Sequence, residues 1–350
     1  MKNTNLKSVI AAMLVLATSC NEPETIVTDI VHTDGSITRK IEMKSSEKKF
    51  RISEVQVPYD STWSVRDSVE INNKGDTIRV RRAEKFFRDA DEINKDFRSD
   101  SSYNKNISRS VSFRRKFKWF HTEYRFAEQI DKKMQDGYPV SDFLNSAELS
   151  WFYSPDNVKE SDKNGPDSLR YKALEDSVNK NTNRWTTRNF ISEWINEFAA
   201  LTNEGGKKGL PADTLKKHED EFVKLVEHLD DKFDSLWKNG LILKEMIGEE
   251  NAKKYENEAD SAMDVVTSRV FVDFNEYTQK ILMPGKVTET NGFVDQNNTL
   301  LWPVKSDFFL TQPYIMQAES KVPNRWAWVV SGLFLVFVVT GIIIKQKGKG

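Results

Sequence analysis

Apolar and polar residues alternate along the first third of the chain, and turn residues interrupt the alternation. A period of two residues is typical of a β-strand with one buried face. Asp34 and Gly35 lie between two such runs, which predicts a β-hairpin. Strands are predicted here over residues 25–32, 37–43, 51–57, 63–71 and 77–81.

A longer alternating run follows over residues 111–126. Phe113 and Phe117 share one parity in this run, whereas the apolar residues from Phe120 onward take the other. Because successive side chains of a strand point to opposite faces, a change of parity within one strand requires an extra residue. The pattern therefore predicts one long strand with a β-bulge near Trp119 and Phe120.

The middle of the chain changes to a helical spacing, with apolar residues three and four positions apart. Ser141 and Asp167 precede two of these runs and are residue types that cap helices. We expect the helix after Asp167 to break near residues 179–183. Helices are predicted over residues 84–97, 141–151, 167–201, 215–237 and 248–263, and strands return at 265–274, within 283–292 and at 299–304.

Residues 326–344 form an apolar run of nineteen residues without a charge. A helix of this length spans about 28 Å, close to the thickness of the hydrocarbon core of a bilayer. Trp326 and Trp328 lie at one edge of the run, and Lys345 and Lys347 follow the other. Since tryptophan favours the membrane interface and lysine the cytoplasmic side, we expect one transmembrane helix with its tail in the cytoplasm.

The first twenty residues combine a positive start, a short apolar run and small residues. Lys2 and Lys7 surround the start of the run over residues 9–17, which is too short to cross a bilayer, and Cys20 follows it. With a cysteine at the cleavage point, the segment resembles a bacterial lipoprotein signal, although Ala17 stands where that family usually has leucine. The resemblance implies that Cys20 is the first mature residue and carries acyl chains. An ordinary cleaved signal is the alternative.

The order of strands, helices and strands predicts an α+β fold. A mixed β-sheet would combine N- and C-terminal strands, with a long helical middle region and one C-terminal transmembrane helix. Two domains joined at residues 157–165 are the alternative. The expected divisions are a lipoprotein signal peptide (1–19), a β-rich extracytoplasmic region (20–165), a helical region (166–263), a juxtamembrane β region (264–322), a transmembrane helix (323–345) and a cytoplasmic tail (346–350).

Several short motifs precede the apolar run: Pro284-Gly285, Asn291-Gly292, Leu301-Trp302 and Ala318-Glu319-Ser320. Together they resemble the juxtamembrane β-rich region of LppM-like bacterial envelope proteins. The resemblance implies an α+β envelope domain without an assigned catalytic residue. The long helical middle region departs from the compact pattern of that family and is interpreted as an insertion.

The charges of the chain are balanced, with 52 Lys and Arg against 53 Asp and Glu. A protein that binds nucleic acid usually carries a clear basic excess, so nucleic acid is not expected as a partner. The 21 Phe and 9 Trp residues provide enough apolar material for a folded core. Cys20 is the only cysteine, so no internal disulfide can form and the core alone must stabilise the fold.

The sequence contains no motif typical of a catalytic or metal site. His218 and Glu221 have the spacing of a ligand pair on a helix, but the same spacing is common on charged helix surfaces. Residues 205–209 are glycine-rich but lack the spacing of a phosphate-binding loop. We therefore expect no catalytic residue, no metal and no cofactor.

Four aromatic residues are candidates for a groove that binds sugar or lipid: Trp119, Phe120, Tyr124 and Trp151. Core and edge positions of a strand are the alternative interpretation for the first three. Basic residues interleave with the aromatic ones at Arg114, Arg115, Lys116 and Lys118. They could meet anionic lipid headgroups or a polyanion, and a solvated sheet face is the alternative.

These observations lead us to expect a non-catalytic envelope lipoprotein in the bacterial cytoplasmic membrane, held by lipid and by one transmembrane span, with most of the chain outside the cytoplasm. Its expected role is that of a scaffold or accessory subunit that binds another envelope protein. The alternatives are an envelope hydrolase acting on glycan or lipid, and a carrier of lipid or glycan.

Overall fold

The computed structural model describes residues 24–45, 59–71, 75–99, 107–134, 136–204, 209–229, 232–270, 274–295 and 299–347. Cys20 with the signal segment, the expected strand over residues 51–57 and most of the glycine-rich segment at 205–209 lie outside the described residues. The described residues fall into two compact units. The first, here called the β unit, lies within Pro23–Ile130, Tyr277–Trp302 and Ile315–Gly350, and the second, the helical unit, within Asp131–Glu276 and Pro303–Tyr314.

The strands form one sheet of seven strands and one of four. The order in the first sheet is β3-β4-β2-β1-β7-β10-β9, and the order in the second is β5-β6-β11-β8. Their bounds are β1 Glu24–Val31, β2 Ile37–Ser45, β3 Ser64–Ile71, β4 Thr77–Phe87, β5 Arg109–Phe117, β6 His121–Ile130, β7 Tyr277–Leu282, β8 Lys286–Thr290, β9 Phe293–Val294, β10 Leu300–Val304 and β11 Tyr314–Pro323.

Strands from both ends of the chain share each sheet, which confirms the predicted α+β fold class. Strand β1 pairs with β2 in antiparallel fashion and with β7 in parallel fashion, so the larger sheet is mixed. The two N-terminal hairpins form where alternation and turn residues predicted them. The helix expected over residues 84–97 is shorter, because β4 continues to Phe87 and the helix α1 covers only Ala90–Ser99.

The predicted bulge near Trp119 and Phe120 is wrong, because these residues lie in a turn. Strands β5 and β6 are two antiparallel strands whose register pairs Phe117 with Thr122. The amide of Lys118 donates to the His121 carbonyl at 2.8 Å and closes the turn. The chain reverses direction at this point, and the reversal explains the change of parity that the sequence shows.

The glycines of the juxtamembrane motifs allow close packing between strands. Gly285 has a φ of 76°, and a Cβ atom there would lie 2.4 Å from the Lys321 carbonyl oxygen. A Cβ atom on Gly292 would lie 2.3 Å from the Trp302 ring, whose Nε1 donates to Asn291 Oδ1 at 3.0 Å. Only glycine fits such close approaches, so these motifs have a structural role in the β unit.

The helical unit is built around one long helix, α4, which covers Ser168–Thr202 without the predicted break. Asp167 precedes it without a capping hydrogen bond from its side chain. Asn145, and not Ser141, caps the helix Ser146–Phe152 through a capping box with Glu148. The other helices of the unit are α2 Ser146–Phe152, α3 Asp156–Lys163, α5 Ala212–Lys216, α6 Glu219–Leu229, α7 Phe233–Lys238, α8 Leu241–Ile247, α9 Glu249–Lys254 and α10 Glu256–Val270.

The strand predicted over residues 265–274 is wrong for residues 265–270, since α10 continues to Val270, and residues 271–273 lie outside the described residues. Ala259, Ala262, Val266 and Val270 are all buried, and their spacing is that of one helical face. This face packs in the core of the unit, where Trp194 and Phe198 of α4 stack with their ring centroids 4.7 Å apart. The helical stripe therefore overrides the local preference of valine for strands.

A buried cluster of charged residues joins the two sheets of the β unit. Arg39 on β2 donates from Nε and Nη2 to the two carboxylate oxygens of Asp29 on β1, each at 2.7 Å. Its Nη2 also donates to Glu128 on β6, at 2.5 Å, and β6 belongs to the other sheet. Since all three residues are no more than 1% exposed, one buried guanidinium bonds two buried carboxyl groups at once.

We predict that replacing Arg39 with methionine destabilises the β unit by about 3–5 kcal/mol, because Asp29 and Glu128 would stay buried without a counter-charge. Pulse proteolysis of the full chain in urea and detergent, following fragments of the β unit, measures this free energy. The matched control is Arg82→Met, which removes exposed ion pairs with Glu42 and Glu70 and should have a far smaller effect.

The triple variant R39M/D29N/E128Q should regain part of the lost stability, since it also removes the two charges. An Arg39→Met protein as stable as the Arg82→Met control would contradict the role assigned to this cluster.

Candidate functional site: a hairpin joined to an apolar helix

The C-terminal part of the β unit passes from a strand into a long apolar helix through a single residue. Strand β11 ends at Pro323, and the helix α11 covers Arg325–Lys347, so only Asn324 lies between them. An 18-residue window within Arg325–Lys345 has a mean hydropathy of 2.6, and 6% of that window is buried. By length and composition it can cross a membrane.

Asn324 bonds the start of this helix to the turn between β5 and β6. Its side-chain Nδ2 donates to the carbonyls of Lys118 at 2.7 Å and Trp119 at 3.2 Å. Its backbone amide donates to the Phe120 carbonyl at 2.9 Å, and its Oδ1 accepts from the hydroxyl of Thr122 at 3.0 Å. The side chain and the backbone amide of one residue thus satisfy three backbone carbonyls of the turn.

Aromatic rings from the turn pack against the first two turns of the helix. The rings of Trp119 and Trp326 meet edge to face at 5.2 Å, and those of Phe120 and Trp328 lie 4.4 Å apart. Phe117 stacks on Trp326 at 6.3 Å. Such pairs are worth about 0.5–1.5 kcal/mol each beyond their buried area, so they add to the hydrogen bonds of Asn324.

The aromatic residues of the turn remain largely exposed despite these contacts. We call residues 117–120 the hairpin tip. Phe117 is 55% exposed, Trp119 47% and Phe120 40%. Water contact of this extent is unfavourable for three neighbouring large apolar side chains, which marks the hairpin tip as an interaction surface.

The charges near the hairpin tip are unevenly distributed. Glu123 contacts His121 at 3.1 Å and Lys321 at 3.6 Å, and the hydrogen bond from His121, together with nearby lysines, holds the pKa of this carboxyl below its usual range. Within the described ranges, Lys116 and Lys118 are exposed and have no acidic group within ion-pair distance. The tip is therefore basic as well as aromatic.

The residues predicted to line a ligand groove occupy different environments. Trp119 and Phe120 lie together in the exposed hairpin tip. Tyr124 is buried on β6, where its ring packs 6.2 Å from that of Phe113. Trp151 is buried in the helical unit and stacks on Tyr171 at 5.5 Å. Tyr124 and Trp151 thus fill core positions, and a groove formed by all four remains a prediction.

The histidines have ordinary partners. His32 bonds the hydroxyl of Thr38 at 2.9 Å, His218 contacts Glu221 at 2.9 Å, and His228 bonds the Lys224 carbonyl. No group of three or more metal-ligating side chains occurs in the part of the chain that the structure describes.

No sequence motif predicts the buried charged cluster around Arg39. Burial raises the pKa of Glu128, and the charge of Arg39 opposes that shift. Gln279 on β7 donates to Asp29 at 2.9 Å and completes the cluster. The sequence does contain a signal, because Asp29, Arg39 and Glu128 each share parity with buried apolar residues of their own strand.

A second buried charge lies in the helical unit. Burial lowers the pKa of Lys133 to about 8, and the charge of Asp307 partly offsets this effect. Burial also raises the pKa of Asp307. The Lys133 amine lies 4.9 Å from the centre of the Phe309 ring, and its backbone amide donates to the Phe309 carbonyl. Shifted pKa values occur at catalytic sites and at structural charge pairs alike, and these packing contacts favour the structural reading.

Comparison with known proteins finds no matching family, no similar curated protein and no similar solved structure. The resemblances to lipoprotein signals and to LppM-like proteins therefore remain predictions.

We predict that replacing Asn324 with alanine loosens the hairpin tip from the helix. The variant loses three side-chain hydrogen bonds, and a loss of about 1–2 kcal/mol raises the population of the open state roughly 5–30-fold. Hydrogen exchange of the full chain in nanodiscs should then accelerate by that factor in peptides covering residues 117–124.

Asn94→Ala is the matched control, because Asn94 also bridges backbone groups, at Val111 in the same unit. It should accelerate exchange near Val111 and leave the hairpin tip unchanged. Equal protection of residues 117–124 in wild type and Asn324→Ala would show that Asn324 does not hold the tip.

Proposed function

We propose that this chain is a non-catalytic membrane protein of the bacterial envelope that holds a binding surface at a fixed position for another envelope protein. In this proposal Cys20 carries a lipid, α11 crosses the cytoplasmic membrane once, and the folded units lie outside the cytoplasm. The observation that carries the proposal is the joint at Asn324, which connects a folded unit to the apolar helix without a linker.

The short connection at Asn324 limits how freely the β unit can move relative to α11. A flexible linker between a membrane anchor and a domain allows the domain to sample many heights and orientations. Here hydrogen bonds at Asn324 and ring contacts at Trp326 and Trp328 hold the hairpin tip against the helix. Fixed geometry lowers the entropic cost of binding a partner in the same membrane, which favours a scaffold or accessory subunit.

Exposed apolar side chains in the helical unit provide candidate contact points for the partner. Leu169, near the start of α4, is 83% exposed, and Leu241, at the start of α8, is 52% exposed. By contrast, the most deeply buried carboxyl groups of the β unit, Asp29 and Glu128, both form ion pairs with Arg39. Acids held in this way support the fold, so they favour a binding protein over a hydrolase.

Replacing Cys20 with serine tests the lipid anchor and the topology together. We expect that acylation, measured by incorporation of labelled fatty acid, disappears, while the protein stays in the membrane fraction because α11 does not need the lipid. Protease added to spheroplasts should remove the folded units from both proteins. Folded units that resist protease in intact spheroplasts would contradict the proposed orientation.

Photo-crosslinking in membranes tests the scaffold role. A photoreactive amino acid at Leu169 should capture the same envelope protein in repeated experiments, as identified by mass spectrometry. The control position is Lys180, an exposed residue of the same helix. A second label at Val69, an exposed residue of β3 in the β unit, should lose yield when it is combined with Asn324→Ala, because that unit would no longer be held against α11. No recurring partner from Leu169 or Leu241 would refute the scaffold role.

A further inference from the structure

The hairpin tip reaches further along the apolar helix than its first turn. The segment Arg325–Lys345 contains 21 residues, which corresponds to about 31 Å of helix and matches the hydrocarbon thickness of a bilayer. The helix therefore has almost no length to spare, and Arg325 must lie close to the membrane boundary.

Trp119 contacts this helix well beyond Arg325. Its Nε1 donates to Ser331 Oγ at 2.9 Å, and Ser331 lies six residues after Arg325, or about 9 Å along the helix axis. If the helix spans the membrane, the indole of Trp119 must pass the membrane boundary and reach into the outer part of the bilayer. An indole with an apolar body and one polar N–H group is suited to that depth.

The neighbours of Trp119 fit the same environment. Phe117 and Phe120 are exposed on either side of it, and Trp328 projects from the helix beside Phe120. In water these rings would form an exposed apolar patch, whereas in the interfacial layer they contact lipid. The patch continues directly into the exposed apolar surface of α11. We therefore expect the patch to contact the membrane that α11 spans.

Basic side chains surround the aromatic ones. Lys118 lies within the hairpin tip, and Lys116 is two residues before it, a distance of about 7 Å along a strand. Both therefore lie within roughly one Debye length of the tip. Arg325 adds a third positive charge at the start of the helix. Among the described residues none of these three side chains has an acidic partner at ion-pair distance.

We propose that the hairpin tip is a second membrane-binding element, in which Phe117, Trp119 and Phe120 insert into the interface and Lys116 and Lys118 bind the headgroups of anionic phospholipids. This inference goes beyond the scaffold role, since it concerns lipid and needs no protein partner. Anionic lipid bound at the hairpin tip would attach the β unit to the membrane at a second point, in addition to its connection to α11 at Asn324.

Photoactivatable lipids test the proposal on the full chain purified alone in nanodiscs. The discs contain a small share of either photoactivatable phosphatidylglycerol or photoactivatable phosphatidylcholine, and peptide mass spectrometry locates the labelled residues. Both lipids should label residues 117–120, with phosphatidylglycerol in several-fold excess. The variant K116Q/K118Q should lower that excess by up to roughly fivefold per lysine, as expected for a basic residue near an anionic surface.

The matched control is R66Q/R79Q, which removes two exposed positive charges from β3 and β4 of the same unit. It should leave the excess of phosphatidylglycerol unchanged. Absence of label from residues 117–120 with both lipids would refute insertion. Equal labelling by the two lipids in the wild-type protein would refute recognition of anionic headgroups. These discs contain no partner protein, so neither outcome tests the scaffold role. The photo-crosslinks from Leu169 and Leu241 test that role separately.

Discussion

Asn324 is the residue on which the arrangement of the C-terminal part of the molecule depends. Its backbone amide and side-chain amide donate to the turn between β5 and β6, and its side-chain carbonyl accepts from Thr122 on β6. Its backbone carbonyl accepts from Ala327 in the helix. A single residue thus ends a strand, starts a helix and fixes a hairpin to both. If Asn324 were part of a longer loop, the helix and the sheet could move independently.

The connection at Asn324 can fix the position of the whole β unit relative to α11 only if the two sheets of that unit are held together. Arg39 joins Asp29 in one sheet to Glu128 in the other, and the hairpin that ends at the tip contains β6, the strand that carries Glu128. Burying these charges costs free energy that an apolar core would not cost. What they provide is a defined register between the sheets, because a shift of either strand would leave a charge without its partner.

Local sequence patterns predict much of the fold. The predicted secondary structure is wrong where contacts between residues distant along the chain determine the conformation. The first hairpin could be predicted because Asp34 and Gly35 lie between two alternating runs. Residues 265–270 were misjudged because a short run rich in valine suits a strand or a buried helix equally, and only the stripe from Ala259 to Val270 decides between them. The change of parity near Trp119 was a correct observation with the wrong cause, since a turn and a bulge produce the same change.

The sequence predicts only part of the candidate site. Trp119 and Phe120 stood out as candidate binding residues, and they do lie together in the exposed hairpin tip. Tyr124 is also aromatic but is buried, and the pattern alone could not decide between a groove and a core position for it. Asn324 gave no signal at all, because its partners at residues 118–122 are distant along the chain and an isolated asparagine is compatible with any surface loop.

If Asn324 joins the hairpin to the apolar helix, the two move as one body, and the distance between them measures this. Nitroxide labels at Ser112 on β5 and Val329 on α11, in a Cys20→Ser background in nanodiscs, allow this distance to be measured by double electron–electron resonance. We expect a single distribution of distances for this pair, as narrow as that between labels at Ser112 and Ser64 within the β unit. A broad or multimodal distribution for the pair Ser112 and Val329 alone would contradict it.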